Sequence, residues 1–354
     1  MPKTGAVSHR IELAPAGEQF QAEPGETVLD AALRHGLNLP HSCRGGSCLS
    51  CRARLLEGAV DYPKGTPPAL SEADREDGFA LLCQAHARCD LRVETRPIEI
   101  PGDIRIRRLP CRVETIDRPS HDVAALRLKL PGFEPFEFLP GQYVDILLSG
   151  GRRRSFSMAN PPHETGVLEL HVRRGSGGDF TARVFDRMKP RDLLRLEGPL
   201  GQFYLREDSP RPMIFVAGGT GFAPIKSMLR HWFEASDQAD DRPAHLYWGV
   251  RAARDLYESD TARGWARERP SFSFTPVLSS PAPEDGPEWR TGLVHEAVLA
   301  DRPDLSGFDV YVCGPPPLIE AARRDFQQAG LPASQLFFDS FDYAAPDPAR
   351  REAG

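Results

Sequence analysis

The chain has 354 residues, of which 40% are hydrophobic and 27% charged, with a formal net charge of −6. That is ordinary globular composition, long enough for two or three domains, and its 34 Pro and 31 Gly fall short of a low-complexity, disordered chain. There is no long basic run, no apolar run near the ~18 residues of a membrane helix, and no apolar core of a secretory signal in the opening MPKTGAVSHRIELA. The expectation is a cytoplasmic protein with neither nucleic acid nor membrane as partner.

Residues 1–96 read as a small α+β unit. Ile11 and Leu13 alternate as a short strand, Phe20 and Ala22 as its hairpin partner, and Leu91, Val93 and Thr95 as a closing strand. Thr27 precedes Val28, Leu29, Ala32 and Leu33 at helical spacing, with Gly36 as the stop. Cys43, Cys48, Cys51, Cys83 and Cys89 crowd into this part, leaving Cys111 and Cys313 isolated. An odd total of seven opposes a disulfide framework and favours metal or redox chemistry.

Cys43, Cys48 and Cys51, with Cys83 downstream, show the spacing of plant-type [2Fe–2S] ligands. Three thiolates wrapping a compact cluster bring backbone close to inorganic sulfide. Gly45 and Gly46 permit that curvature and present N–H groups to the negative charge. A structural zinc site more often shows two short C-x-x-C pairs, and three buried structural cysteines within nine residues are hard to attribute to packing. Cys89 is the alternative to Cys83 as the fourth ligand.

Residues 97–108, from Arg96-Pro97 through Pro101-Gly102, read as a linker. From 109 to 209 the pattern is all-β. Val123 to Leu130, Tyr143 to Leu148, Arg153 to Ala159, Val167 to Val172 and Leu193 to Leu196 are short strands, with one helix between Thr181 and Arg187 and a turn at Gly198-Pro199-Leu200-Gly201. That texture predicts a small antiparallel barrel.

Residues 210–345 alternate strand and helix, and 346–354 read as a tail. Met213 to Ala217 is apolar throughout, a glycine loop follows, and Ile225, Met228, Leu229, Trp232 and Phe233 then recur at helical spacing. His245 to Val250, Phe272 to Leu278, Asp309 to Cys313 and Gln335 to Phe338 are later strands, with a helix around Ala321 and Phe326 before the last of them. The alternation predicts a parallel, doubly wound α/β sheet. No internal repeat stands out.

With these motifs in view and in this order, nearly the whole chain resembles the NADH-dependent iron–sulfur flavoprotein reductases. These carry an N-terminal plant-type ferredoxin and a ferredoxin–NADP⁺ reductase-like FAD and NAD module. Arg154-Ser155-Phe156-Ser157-Met158-Ala159-Asn160 and Tyr247-Trp248-Gly249 also resemble CDP-6-deoxy-glucoseen reductase-type sequences. The resemblance implies a β-grasp ferredoxin-like domain, an antiparallel β-barrel FAD domain and a doubly wound NAD domain.

The resemblance also implies site residues. Arg154 would meet the FAD pyrophosphate through its planar guanidinium, with Ser155 in the same strand, Phe156 against the isoalloxazine and Ser157 near flavin N5. Phe156 replaces the family's tyrosine, which removes a hydroxyl and keeps the ring. Gly178 and Thr181 match a glycine turn opening a helix, a natural pyrophosphate site, although Asp179 beside them would repel phosphate. Gly219, Thr220 and Gly221 match the nicotinamide nucleotide's pyrophosphate loop, and Cys313, Gly314 and Pro315 the Cys-Gly-Pro motif beside the nicotinamide. Ser157 and Cys313 are the expected catalytic pair, and Phe341 a candidate for the flavin face. Arg251 and Arg254 could take the 2′-phosphate of NADPH, whereas the resemblance implies NADH.

Nicotinamide gives two electrons as hydride, whereas an iron–sulfur centre takes one at a time, so a flavin must stand between them. The expected path is NADH to FAD to [2Fe–2S] to an external protein acceptor, an oxygenase component first. A sugar-nucleotide dehydrase is the alternative, and a redox sensor or carrier without turnover a third reading.

Overall fold

A computed structural model describes residues 7–42, 44–46, 49–97, 104–132, 135–175, 179–235 and 242–341. The chain divides into two compact units, Met1–Ile106 and Arg107–Gly354.

The first unit contains β1 (His9–Pro15), β2 (Gln19–Ala22), α1 (Val28–Arg34), β3 (Arg52–Glu57), β4 (Val60–Asp61), α2 (Glu72–Glu76), β5 (Phe79–Leu81), β6 (His86–Ala87) and β7 (Leu91–Thr95). The main sheet has the order β2-β1-β7-β3-β5, with β1 and β7 parallel and the other pairs antiparallel. Ile11, Leu13, Leu91 and Val93 are buried, as are Val28, Leu29 and Ala32 on α1. Thr27 caps that helix, its hydroxyl accepting from the Asp30 N–H at 3.0 Å. β3 was not foreseen because Arg52, Arg54 and Glu57 load its exposed positions with charge and blur the alternation.

The second unit opens with a barrel built from β8 (Arg107–Asp117), β9 (Val123–Lys129), β10 (Tyr143–Leu147), β11 (Arg153–Ser157), β12 (Val167–Arg173) and β13 (Leu193–Leu200), with α3 (Asp179–Asp186) between the last two. The order is β11-β10-β13-β8-β9-β12, and a bridge between Met158 and Leu170 links its two ends. Leu126, Leu128, Val144, Ile146, Leu168 and Leu170 fill the interior.

Two expectations change here. β8 begins within the span read as a linker; its arginines and Pro110 hide the alternation of a strand that lies between β13 and β9. The expected turn at Gly198-Pro199 is instead the end of β13, where Leu200 pairs with Tyr143 and the register shifts between Tyr143 and Asp145. A Cβ on Gly198 would lie 2.8 Å from Val144 Cγ1, so glycine lets β13 pass close to β10.

The rest of the unit comprises β14 (Met213–Gly218), α4 (Phe222–Ala235), β15 (Ala244–Val250), α5 (Ser259–Glu268), β16 (Phe272–Leu278), β17 (Arg290–Thr291), α6 (Val294–Asp301), β18 (Asp309–Gly314), α7 (Pro316–Gln328) and β19 (Leu336–Ser340). All pairings in the sheet β17-β16-β15-β14-β18-β19 are parallel. Along β14, Phe215 and Ala217 enter one core while Ile214 and Val216 enter the other, which is why the strand reads as an unbroken apolar run. α5 escaped notice because only Ala262 is buried in an otherwise polar segment. Chain order reverses between β14 and β18, so the crevice beyond their carboxyl ends is a topological switch point.

The loops leaving those two strands touch. A Cβ on Gly221 would stand 2.0 Å from the Cys313 carbonyl oxygen, and one on Gly314 3.0 Å from Gly218 Cα. Gly221→Ala is therefore expected to cost about 1–3 kcal/mol, because the clash is with backbone and the strands cannot retreat. Thermal melting of the purified protein measures it, and an unchanged midpoint would show that the loops part without cost.

Candidate functional site

The expected site residues fall in three groups of side chains. In the first unit, Cys51 and Cys83 are both buried. They are linked through backbone: Leu82 N–H donates to the Cys51 carbonyl at 3.1 Å, and the segment carrying Cys83 is tied to α1 by Leu29 N–H to Leu82 O and Val28 N–H to Ala85 O. Cys43 and Cys48 lie outside the described residues. Between them, Arg44 and Gly46 have φ of 52° and 84°, and Leu49 beyond them 61°, so the loop makes repeated left-handed turns. Gln84 Nε2 holds the Arg44 carbonyl at 2.7 Å, and the Arg44 guanidinium pairs with Asp30. Cys89 is exposed, its sulfur accepting from the Ala59 N–H at 3.3 Å.

The second group lies on β11 and α3. Among three consecutive arginines, Arg152 pairs with Asp179 at 2.9 Å and Arg153 with Glu197 and Asp145. Arg154 donates to the Arg153 carbonyl at 2.8 Å, and no carboxylate partner is found for it among the described residues. The pair with Arg152 also answers the objection to Asp179, since its charge is met. Ser155 Oγ donates to Asp145 at 2.6 Å, and the Phe156 and Phe180 rings lie 5.4 Å apart. The buried Ser157 hydroxyl has no hydrogen-bond partner among the described residues. Thr181 sits in the first turn of α3, while Gly178 lies outside the described residues. A cavity of about 490 Å³ opens beside this group, lined by Leu148, Arg152, Phe180, Arg183, Leu193 and Arg195 among others.

The third group occupies the switch point. Gly219, Thr220 and Gly221 form a 3₁₀ turn leading into α4, with Gly219 at φ 55° and its carbonyl accepting from Trp248 Nε1 at 2.9 Å. Cys313 is fully buried, and burial pushes its thiol well above the ordinary range. That shift comes from burial first and the Asp339 carboxylate second. Gly314 follows, Pro315 precedes α7, and Phe341 N–H donates to the Gly314 carbonyl at 2.8 Å. Arg251 and Arg254 are exposed just beyond β15.

Two contributors escaped the sequence reading. Trp248 stands in the Tyr247-Trp248-Gly249 motif, which carries no local sign of its grip on the glycine loop. Arg173 at the end of β12 places Nη1 2.9 Å from where a Gly219 Cβ would be, while Asp122 holds its Nε at 2.7 Å. An arginine in an Arg-Arg pair after a strand carries no local signal of that reach.

Known proteins resemble this chain along nearly its whole length. The 2Fe-2S iron-sulfur cluster binding domain family matches residues 11–88, the oxidoreductase FAD-binding domain family 110–204 and the oxidoreductase NAD-binding domain family 215–324. The CDP-6-deoxy-L-threo-D-glycero-4-hexulose-3-dehydrase reductase of Yersinia pseudotuberculosis is 40% identical over 337 residues, spanning 95% of this chain and 99% of its own length. The propane 2-monooxygenase reductase component of Mycolicibacterium goodii is 34% identical over 343 residues, covering 95% and 98%. Among solved structures, the Amycolatopsis cytochrome P450 reductase GcoB superposes with a TM-score of 0.82 at 34% identity, over 95% of this chain and all of that one.

Two substitutions test the assignments. Cys83→Ser is expected to abolish the cluster and Cys89→Ser to keep it, scored by visible absorbance and by about two irons and two sulfides per chain. The opposite pattern would make Cys89 the ligand. Arg154→Ala removes a charged contact of about 1.5–3 kcal/mol, so FAD affinity is expected to fall roughly ten- to a hundredfold. Retention of FAD on dilution reads this out, and unchanged retention would assign the pyrophosphate to another group.

Proposed function

Since the chain belongs to the NAD(P)H-dependent iron–sulfur flavoprotein reductases, we propose that its external acceptor is an oxygenase component and that the residues gathered above hold its cofactors. The chain is an oxidoreductase that passes electrons from NADH through FAD and a [2Fe–2S] centre to a protein partner. Among the described residues no helix is long and apolar enough to cross a membrane.

The observation that carries the site reading is the buried Ser157 hydroxyl, which has no hydrogen-bond partner among the described residues. An unsatisfied buried hydroxyl costs about 1–3 kcal/mol, and a ligand hydrogen bond at that point relieves it. A flavin edge fits, with Arg154 on the pyrophosphate and Phe156 beside the ring. Gly178 and Thr181 would receive the phosphates, and the cavity around Leu193 and Arg195 the adenosine end. For the cluster, buried Cys51 and Cys83 on joined backbone segments fit two of four ligands, with Cys43 and Cys48 as the others.

When bound, the nicotinamide supplies hydride, the flavin takes two electrons and releases them singly, and the cluster passes on one at a time. The chain's own part is to place these groups. Gly219 to Gly221 would admit the dinucleotide's phosphates, because glycine lets the backbone approach and the start of α4 offers N–H groups. Cys313 and Gly314 close the other side of the crevice, and Phe341 stands next to them. Burial keeps water away from the crevice floor.

A sugar-nucleotide dehydrase is the second reading of the acceptor, supported by the 40% identity to the Yersinia pseudotuberculosis reductase. Coupled assays with a purified dehydrase and a purified oxygenase component separate the two, since only the native acceptor draws NADH oxidation into product.

Cys48→Ser tests the linear path. It is expected to keep NADH-driven ferricyanide reduction, which draws on the flavin, and to lose cytochrome c reduction by about tenfold or more. Loss of both activities in a protein that still holds FAD would refute the order of the path.

A further inference from the structure

The electron path leaves one buried ionic cluster without a task. Glu169 and His171 come from β12 of the barrel, Lys226 from α4, and Tyr257 and Glu258 from the segment after β15. Lys226 Nζ lies 2.8 Å from Glu169 and 2.7 Å from Glu258, and His171 Nε2 lies 2.9 Å from Glu169 and 3.5 Å from Glu258. His171 Nδ1 meets the Tyr257 hydroxyl at 2.9 Å. Arg127 adds a longer contact to Glu169 at 3.5 Å.

The carboxylates and the imidazole are close enough to suggest a metal site. The ammonium of Lys226 already lies between the carboxylates, so the cluster is complete as an ion-pair network. Burial alone would raise the Glu169 carboxyl, but the His171 hydrogen bond and the Lys226 charge outweigh it and hold it well below the usual range. Burial would lower Lys226, and Glu258 and Glu169 reverse that. Each charge depends on the others, and removal of one strands its partners.

The network leads in two directions. Toward the nucleotide crevice, the Tyr257 ring stands edge-on to Trp248 at 5.2 Å and to Phe222 at 6.1 Å. Trp248 stacks on Phe222 at 4.0 Å and donates to the Gly219 carbonyl. Toward the barrel, the bridge between Met158 and Leu170 joins the residue after Ser157 to the stretch of β12 that carries Glu169 and His171. One continuous set of contacts thus joins the strand bearing Ser157 to the glycine loop.

We propose that Glu169, His171, Lys226, Tyr257 and Glu258 are positioning residues that fix the glycine loop relative to Ser157 and so set the approach of nicotinamide to flavin. The proposal rests on the reading that this loop holds NADH and that Ser157 faces the flavin. Isolated pairing would have served stability alone. A network spanning barrel and nucleotide layer, ending on the loop itself, also fixes a distance, and a displacement near 1 Å can cost a reaction about a hundredfold.

The test is rapid mixing of NADH with the FAD- and cluster-loaded full-length protein. Lys226→Met is expected to lower the saturating rate of flavin bleaching about ten- to a hundredfold. Tyr257→Phe, which keeps the ring on Trp248, is expected to lower it about three- to tenfold. NADH affinity, read from quenching of tryptophan fluorescence, should move less than about threefold, and Lys226→Arg should recover most of the rate. With 1-benzyl-1,4-dihydronicotinamide, a donor without the dinucleotide, both variants should match the parent within about twofold. Equal losses with the two donors, or an undiminished NADH rate in Tyr257→Phe, would overturn the proposal. If Gly221→Ala left NADH affinity unchanged, the glycine-loop reading would fail instead, which the donor comparison does not touch.

Discussion

The contact between two backbones at the carboxyl ends of β14 and β18 constrains everything around it. No Cβ can stand at Gly221 while the Cys313 carbonyl holds its place, and Gly218 and Gly314 are pressed together beside it. The approach brings the glycine loop and the Cys-Gly-Pro turn to one crevice at the switch point. Cys313 is buried beside it, and burial pushes its thiol well above the ordinary range. The sheet supplies the stiffness that makes this tolerable, since β14 is buried on both faces.

Charge pairing sorts the residues that could face phosphate. Arg152, Arg153 and Arg154 are chemically identical neighbours, yet two are matched by carboxylates and the third is bonded only to a backbone carbonyl in the described contacts. Pairing Asp179 with Arg152 also offsets a negative charge at the start of α3. Strand alternation then separates Ser155, turned to Asp145, from the Phe156 ring beside Phe180.

The cluster end follows a different logic. The loop there makes repeated left-handed turns, at Arg44, Gly46 and Leu49. Two of these are not glycines, so the loop is held by its anchors, Gln84 on the Arg44 carbonyl and Asp30 on its guanidinium. Left-handed backbone at a non-glycine residue costs on the order of 1–3 kcal/mol, which the surrounding contacts must offset.

Much of this was legible in the sequence because the determinants are local. A loop that wraps a cluster needs thiols at set spacing and glycine at its turns; a parallel strand buried on both faces needs an unbroken apolar run; a dinucleotide loop needs glycine between strand and helix. The four-two cysteine spacing, Met213 to Ala217 and Gly219 to Gly221 carried these signals at short range. β8, β3 and α5 were obscured because their charged positions broke the periodicity, and the Gly198-Pro199 pair read as a turn because closeness to Val144 is not a local property. The pairing of Arg152 and Arg153 with carboxylates, the hold of Trp248 on Gly219 and the meeting of Glu169, His171, Lys226 and Glu258 were settled only by tertiary structure. Their partners lie tens of residues apart on different elements, and a charge's partner depends on where the chain brings it, not on the residues beside it.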